Sequence, residues 1–179
     1  MLLIGPAASP RVVDRQVIEL SDASVPTSRQ PYHAVMGARR GDRTSLERRL
    51  RAIVQRVTRR SLSRLLTRYR LQGWTVRRLA LVVGSVIDPS SIGNDHIRAH
   101  ALEGQLFRSA LERAAQNARV ASATYVERGL YDAAAARLKR TPAALRRVVA
   151  ELGRSVDGSW RADEKTAALA AWMVLARSH

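Results

Sequence analysis

Apolar residues recur at helical spacing between residues 44 and 72. In the first half of this stretch they share one face, opposite a face of arginines, and they are Leu46, Leu50, Ile53, Val54 and Val57. The motif Thr44-Ser45-Leu46-Glu47 is typical of a capping box, so we expect a helix to begin there. In the second half the apolar face shifts by a quarter turn or more, at Leu62, Leu65, Leu66 and Tyr69. The shift predicts a kink or break near residues 58–61, and Gly73 predicts the end of the element.

Short runs rich in β-branched and leucine residues predict strands elsewhere in the chain. Apolar residues alternate with charges from Arg11 to Leu20, a shorter run at Leu2–Ile4 precedes them, and Tyr32–Met36 is a third candidate strand. The run Leu79–Ile87 is apolar throughout, which is typical of a strand buried on both faces, so we expect it to be central. Val120–Val126 is a further short candidate strand.

Helical patterns follow the central strand at residues 95–118, 130–139, 142–153 and 162–176. Strands alternating with helices predict an α/β fold with a mixed central sheet flanked by helices. The length of 179 residues fits a single domain. Its expected parts are N-terminal strands at 1–37, arginine-rich helices inserted before the central strand at 44–72, a central strand, helix and strand at 76–126, and C-terminal helices at 130–179.

The net charge of +16 is concentrated in one segment. Between Arg39 and Arg78 there are 14 arginines against Asp42 and Glu47, so these 40 residues carry +12. Arginines on an exposed helix face neutralise phosphates, which predicts contacts with DNA or RNA. The candidate contacts are Arg48, Arg49, Arg51, Arg56, Arg59 and Arg60. The alternative is a solvated helix face in an arginine-rich proteome, and membrane-surface binding is disfavoured because the stretch lacks Trp and Phe.

Several classes of protein and site are disfavoured by what the sequence lacks. The chain has no cysteine, which excludes disulfides, thiolate metal sites and cysteine nucleophiles. It has no secretory signal pattern and no run of roughly 18–20 apolar residues, so we expect a cytoplasmic protein without a membrane span. Nucleotide-binding glycine loops and the serine-hydrolase elbow are absent as well. Assembly as a homodimer stays open.

Two histidines and a glutamate share one face of the helix predicted at 95–118. His96, His100 and Glu103 stand at i, i+4 and i+7, a pattern that could hold a divalent ion such as Zn or Mn. Asp88 follows the central strand, where α/β sheets place their ligand sites, and joins them as a predicted metal ligand. Local hydrogen bonds or a phosphate contact are the alternatives, and Ile97 stands where zinc peptidases carry their catalytic Glu. His33 follows Pro31-Tyr32, and its role as structural or site residue is open.

The order of elements and four segments are similar to a known superfamily. The segments are Ile4–Val13, the strand ending at Asp88, the helix at Gly104–Ala114 and the closing Trp160–Ala171. Together they resemble the ribonuclease H-like fold, and within it RuvC-type Holliday-junction resolvases. In that family a catalytic Asp follows the first apolar strand, and here that place holds Ala or Pro.

The resemblance implies a metal-dependent nuclease, in which three or four carboxylates hold two divalent ions, Mg or Mn, at a phosphate. It carries over Asp88 as the strand-end ligand and Asp163 with Glu164 as ligands from the last helix. Asp14 lies too far along the second strand to replace the missing first carboxylate. Ordinary roles are open too, because Asp88 precedes a proline turn and the acidic pair favours a helix N-terminus.

Three functions follow as hypotheses. The first is a nucleic-acid-binding protein with a ribonuclease H-like domain, for which cleavage as a divergent metal-dependent nuclease is an open question. The second is a noncatalytic protein whose basic helices dock an acidic partner. The third is a small metalloenzyme built on His96, His100 and Glu103. Whether the chain is an enzyme is open at this point.

Overall fold

The computed structural model describes residues 1–176, which form two compact units. The first unit consists of residues 1–17 and 78–84 together with the described residues from 121 onward. The second unit consists of Ile18–Arg77 and Ser85–Val120. Each unit has its own set of buried side chains and is described separately.

The secondary structure is mixed α/β, as the sequence predicts. The strands are β1 (Leu2–Ile4), β2 (Arg11–Asp14), β3 (Arg78–Val83) and β4 (Ala121–Val126). The helices are α1 (Pro31–Met36), α2 (Arg43–Leu71), α3 (Asp95–Asn117), α4 (Leu130–Leu138), α5 (Pro142–Arg154) and α6 (Ala162–Leu175). Short 3-10 turns lie at Pro26–Arg29, Arg40–Asp42, Pro89–Ser91 and Glu127–Gly129. No helix within residues 1–176 combines the length and the hydropathy that crossing a lipid bilayer requires.

The first unit is built around α6, whose residues from Ala168 to Val174 are almost all buried. Packed against them are Leu3 of β1, residues of α4, and three leucine and valine side chains of α5. The Trp172 indole Nε1 donates to the Ala7 carbonyl at 2.7 Å, which satisfies the one polar atom of this buried ring. The buried second half of α6 therefore forms the core of this unit, a central position that the sequence analysis assigned to the strand at residues 79–87.

The described strands form two two-stranded sheets, where the sequence predicts one mixed sheet. β1 pairs with β2 in antiparallel fashion and β3 pairs with β4 in parallel, with Leu81 opposite Thr124. Within β3 only Leu81 is buried, although the run was expected to be buried on both faces. The apolar residues beyond it, Val86 and Ile87, lie outside the strand and are exposed. The apolar run at Leu79–Ile87 thus consists of two parts. Its first part belongs to β3, which packs on α6, and its last residues belong to an exposed connection.

The second unit consists of α1, α2 and α3 with their connecting turns. Val54 of α2 packs against Leu106 and Ala110 of α3, with Tyr32 and Phe107 at the border. α2 is continuous from Arg43 to Leu71, so the predicted break near residues 58–61 is wrong. Thr58 is buried one turn after Val54 and one turn before Leu62, and it continues the buried stripe across the phase change. The sequence pattern missed this because Thr was counted as polar.

Three further predictions about local structure are wrong. The capping box does not form, because α2 begins at Arg43 and has no side-chain cap, while Glu47 pairs instead with Arg51 at 3.2 Å. Tyr32–Met36 is helical, with Pro31 in the first turn of α1, a position where proline is tolerated. The strand expected from residue 11 to residue 20 ends at residue 14. The other helices lie within a residue or two of the predicted bounds, and Gly73 adopts a φ of +84° after α2.

A pair of glycine substitutions tests the packing of α5. A Cβ on Gly153 would lie 2.5 Å from the Trp160 ring, whose Nε1 donates to the Val149 carbonyl. We predict that Gly153→Ala lowers the free energy of unfolding by about 1–3 kcal/mol through overpacking. Gly104→Ala on α3 is the matched control, because no atom lies within 4 Å of the added Cβ and alanine is the better helix former. Urea denaturation of both variants should give changes of opposite sign, and stabilisation by both would contradict the packing.

Candidate functional site

Three histidines from two helices of the second unit lie together. His33 stands on α1, and His96 and His100 stand one turn apart on α3. One ring nitrogen of each histidine lies within 4.8 Å of a ring nitrogen of the other two. The His33 and His100 ring centroids are 4.3 Å apart, and His33 Nε2 is 3.2 Å from His96 Nδ1. This group, which we call the histidine cluster, could hold a metal ion.

A buried carboxylate supports the histidine cluster from inside the unit. Glu103 is 6% exposed, and its Oε1 lies 2.9 Å from His33 Nδ1. The same oxygen accepts a hydrogen bond from the His33 backbone N–H at 3.3 Å, and Oε2 lies 3.7 Å from His100 Nδ1. Because a carboxylate only accepts hydrogen bonds, the His33 Nδ1 carries the proton. The other nitrogen of the ring, Nε2, is thereby directed at His96.

Local sequence signals place these side chains. Asn94 caps α3 by accepting a hydrogen bond from the Ile97 backbone N–H at 3.0 Å. This cap fixes the start of the helix, so that His96, His100 and Glu103 follow at i, i+4 and i+7 along one face. α1 is a single short helix that packs on both α2 and α3. Its placement brings His33 over the face that the α3 residues share.

The structure brings three of the four predicted metal ligands together and adds one that the sequence analysis did not assign. His96, His100 and Glu103 are neighbours as expected, with Glu103 behind the rings. Among residues 1–176, Asp88 is not a member of the group. His33 is 63 residues from His96 in sequence, so no local spacing could identify it. The sequence offered one signal for His33. The chain has four histidines, and His33 is the one internal histidine besides His96 and His100.

Asp88 has a local structural contact. Its carboxylate Oδ1 accepts a hydrogen bond from the Ser90 backbone N–H at 2.9 Å, at the start of the turn Pro89–Ser91. This hydrogen bond lowers the pKa of the exposed Asp88 carboxyl below its ordinary value. The contact matches the turn role that was the alternative for Asp88.

The two carboxylates predicted on the last helix also have local surroundings. Asp163 is exposed in the first turn of α6. Glu164 is half-buried, and its Oε2 accepts a hydrogen bond from the Arg161 backbone N–H at 2.7 Å. Its Oε1 lies 3.3 Å from the Arg15 guanidinium. The catalytic assignment of Asp88, Asp163 and Glu164 stays a prediction.

All ten arginines of α2 are exposed, and they form what we call the arginine surface. Its members are Arg43, Arg48, Arg49, Arg51, Arg56, Arg59, Arg60, Arg64, Arg68 and Arg70. The six predicted contacts all belong to it. Glu47 is the one acidic residue of α2, so the helix carries a net charge of +9. Arg51 pairs with Glu47, and Arg56 lies 4.0 Å from Asp22.

A small basic groove lies between α2 and α3. Its volume is about 230 Å³, and its polar lining consists of Arg56, Arg59, Arg113, Gln55 and Asn117. This lining, all of it within residues 52–117, contains no carboxylate. The groove therefore presents guanidinium and amide hydrogen-bond donors next to Arg56 and Arg59 of the arginine surface.

A larger cavity of about 700 Å³ lies among α1, α2 and α3, and its lining holds three arginines against the carboxylates of Glu47 and Asp95. Arg51 pairs with Glu47 and Arg98 pairs with Asp95 at 3.1 Å, so these cations in the lining already have carboxylate partners. Burial raises the pKa of Tyr32, which also lines the cavity. The basic groove, whose lining contains no carboxylate, is the better candidate for an anionic ligand.

Comparisons with protein-family models, with curated proteins and with solved structures found no match to this chain.

Two substitutions at Asp88 separate its structural contact from a ligand role. Asn keeps an uncharged acceptor for the Ser90 hydrogen bond, whereas Ala has none. We predict that Asp88→Asn lowers the urea midpoint at pH 7 less than Asp88→Ala does, because Asn loses only the charge of the acceptor. The lowered pKa means that the stabilisation by the charged carboxylate is present above the unfolded-state pKa and is lost as the pH falls through the folded-state pKa. Equal midpoints for the wild-type protein and Asp88→Ala at pH 7 would contradict the capping role.

Proposed function

We propose that this protein binds nucleic acid through the arginine surface of α2. The observation that carries the proposal is the set of ten exposed arginines on one helix with a net charge of +9. Guanidinium groups bind phosphate oxygens in a bidentate manner and release the counterions condensed on the nucleic acid. A surface with this density of positive charge gains most free energy from a partner that carries phosphates at regular intervals.

The dimensions of α2 favour an extended polyanion over a single anion. A helix of 29 residues is about 43 Å long, and a DNA duplex carries one negative charge per roughly 1.7 Å of its axis. Arg48, Arg56 and Arg59 lie within about 80° of one another around the helix axis at 100° per residue. These three arginines thus form a line that can follow a backbone over several phosphates.

The basic groove supplies a place for one phosphate at the edge of this line. Arg56 and Arg59 reach it from α2, and Arg113 reaches it from α3. Three guanidinium groups and two amide side chains provide donors for the nonbridging oxygens of a phosphate. Its location on two helices of one unit supports a contact of defined geometry in addition to general attraction.

Binding is expected to depend on the backbone and not on the bases. Proteins that read single strands stack bases on exposed aromatic side chains. The one aromatic residue of α2 is Tyr69, which is buried. We therefore propose weak sequence preference, strong dependence on salt, and a preference for duplexes over single strands.

Nuclease activity of the ribonuclease H-like type rests on the resemblance alone. The place of the first carboxylate holds Ala or Pro, and Glu164 is engaged by Arg15 and by the Arg161 N–H. The residues present do not complete the carboxylate set that the resemblance implies. We accordingly propose binding without cleavage, and incubation of DNA and RNA substrates with Mg or Mn tests this. Cleavage by the wild-type protein that is lost in Asp88→Asn would contradict this proposal and support a metal-dependent nuclease.

The binding proposal predicts the effect of charge reversal. We expect Arg48→Glu, Arg56→Glu and Arg59→Glu in one chain to weaken binding to a 30-base-pair duplex by at least roughly 100-fold at low salt. The slope of log K against log salt should fall by about 2.7 if three phosphate contacts are lost. Fluorescence anisotropy across a salt series measures both quantities, and circular dichroism checks the fold.

A second triple variant controls for net charge. Arg128→Glu, Arg147→Glu and Arg154→Glu change the charge by the same amount at exposed positions of the first unit. This control should lose much less affinity than the α2 variant. Equal losses in the two variants would contradict a specific surface on α2. Tighter binding to an acidic protein of matched charge than to the duplex would favour a protein partner instead.

A further inference from the structure

We propose that the histidine cluster is a binding site for a late first-row divalent cation of the Zn²⁺ type, with His33, His96 and His100 as ligands. Glu103 acts as a positioning residue behind His33. This inference is independent of the nucleic-acid proposal, because it rests on different side chains and a different ligand.

The spacing of the ring nitrogens fits a tetrahedral ion. Two nitrogens that each lie about 2.0–2.1 Å from zinc in tetrahedral geometry are about 3.4 Å apart. His33 Nε2 and His96 Nδ1 are 3.2 Å apart, close to this value. One ring nitrogen of His100 lies within 4.8 Å of a ring nitrogen of each of the other two histidines. His100 is 53% exposed, so rotation of its side chain can close the remaining distance without moving the helix.

The contact between Glu103 and His33 is the arrangement that metal sites use behind a histidine ligand. A carboxylate that accepts from one ring nitrogen fixes the tautomer and makes the other nitrogen a stronger donor to a metal. Glu103 Oε1 holds His33 Nδ1 at 2.9 Å, which leaves Nε2 directed at His96. Because Glu103 is buried and also accepts from the His33 backbone, the orientation of the ring is set before any ion arrives.

The ligand set selects the class of metal. Three imidazoles suit Zn, Co, Ni or Cu, whereas Mg and Ca take oxygen ligands. Glu103 is committed to His33, and the chain has no cysteine that would supply a thiolate. Three protein ligands leave the fourth tetrahedral position open, and zinc sites of this type hold water there. His96 and His100 are exposed, so this position is accessible to solvent.

A proton shared between His33 Nε2 and His96 Nδ1 is the competing explanation of the short distance. A hydrogen bond of this kind would give the same distance between His33 and His96 in a protein that does not bind metal. The two explanations differ in the binding of zinc, which can be measured directly on the full chain.

The experiment is titration of the untagged, EDTA-treated protein with ZnCl₂ and with MgCl₂ by isothermal calorimetry. We expect one Zn²⁺ per chain and affinity for Mg²⁺ at least 100-fold weaker. His96→Ala should weaken zinc binding by at least 100-fold, and Glu103→Gln by about 10- to 100-fold, as for other residues that support a metal ligand. Asp95→Asn and Gln105→Ala, at exposed positions of the same helix, are matched controls and should bind like the wild-type protein.

Thermal denaturation with and without zinc distinguishes variants that have lost zinc binding from variants that have lost the fold. His96 is exposed, so His96→Ala should melt like the wild-type protein without metal and should lose only the zinc-dependent increase in Tm. Absence of stoichiometric zinc binding, or equal affinity in His96→Ala and the two controls, would overturn the proposal. Failure of duplex binding would leave it unaffected, since the duplex assay contains no zinc.

Discussion

The buried carboxylate of Glu103 is the constraint on which the candidate site depends. Removing a charged group from water costs several kcal/mol unless hydrogen bonds replace the lost hydration. Glu103 meets this requirement with both the backbone and the ring of His33, and so joins α3 to α1. α1 has only six residues, fewer than an isolated helix needs for stability in water. Its position therefore depends on contacts of this kind, and the position of the His33 ring depends on them as well.

The two units differ in what their side chains offer. In the first unit, the second half of α6 is largely buried and supplies the core with Leu169, Trp172 and Met173. The second unit has a smaller set of buried apolar residues and carries the arginine surface, the basic groove and the histidine cluster. Its helix α3 contributes to two of these features, with His96, His100 and Glu103 near its start and Arg113 near its end. The polar chemistry of the protein is accordingly concentrated on α1, α2 and α3.

The long helices could be predicted from the sequence because their signals are local. Regular apolar spacing placed α3 and α5 within a residue or two of their observed bounds, and in the structure Asn94 and Thr141 cap these helices. α1 could not be identified in this way, because a stretch of six residues shows too little periodicity to distinguish a helix from a strand. The continuity of α2 was missed since it depends on the burial of Thr58, which tertiary packing decides.

Only the part of the candidate site that lies within one helix could be predicted, because the rest also depends on tertiary packing. His96, His100 and Glu103 follow from helical spacing, and the exposed arginines follow from the charge pattern. His33 enters through a contact between helices that are far apart in sequence, and spacing carries no information about such a contact. The role of Glu103 changed as well, because its burial behind His33 makes it a support for a ligand instead of a ligand.

X-ray absorption spectroscopy at the zinc edge tests the central claim most directly, because it counts the ligands of the bound ion. Zinc-loaded protein is expected to show three imidazole nitrogens at about 2.0–2.1 Å and one oxygen at a similar distance. This result would establish that Glu103 and the α1–α3 contact bring His33 to the two histidines of α3. A spectrum with six oxygen ligands, or with fewer than three imidazoles, would contradict the account.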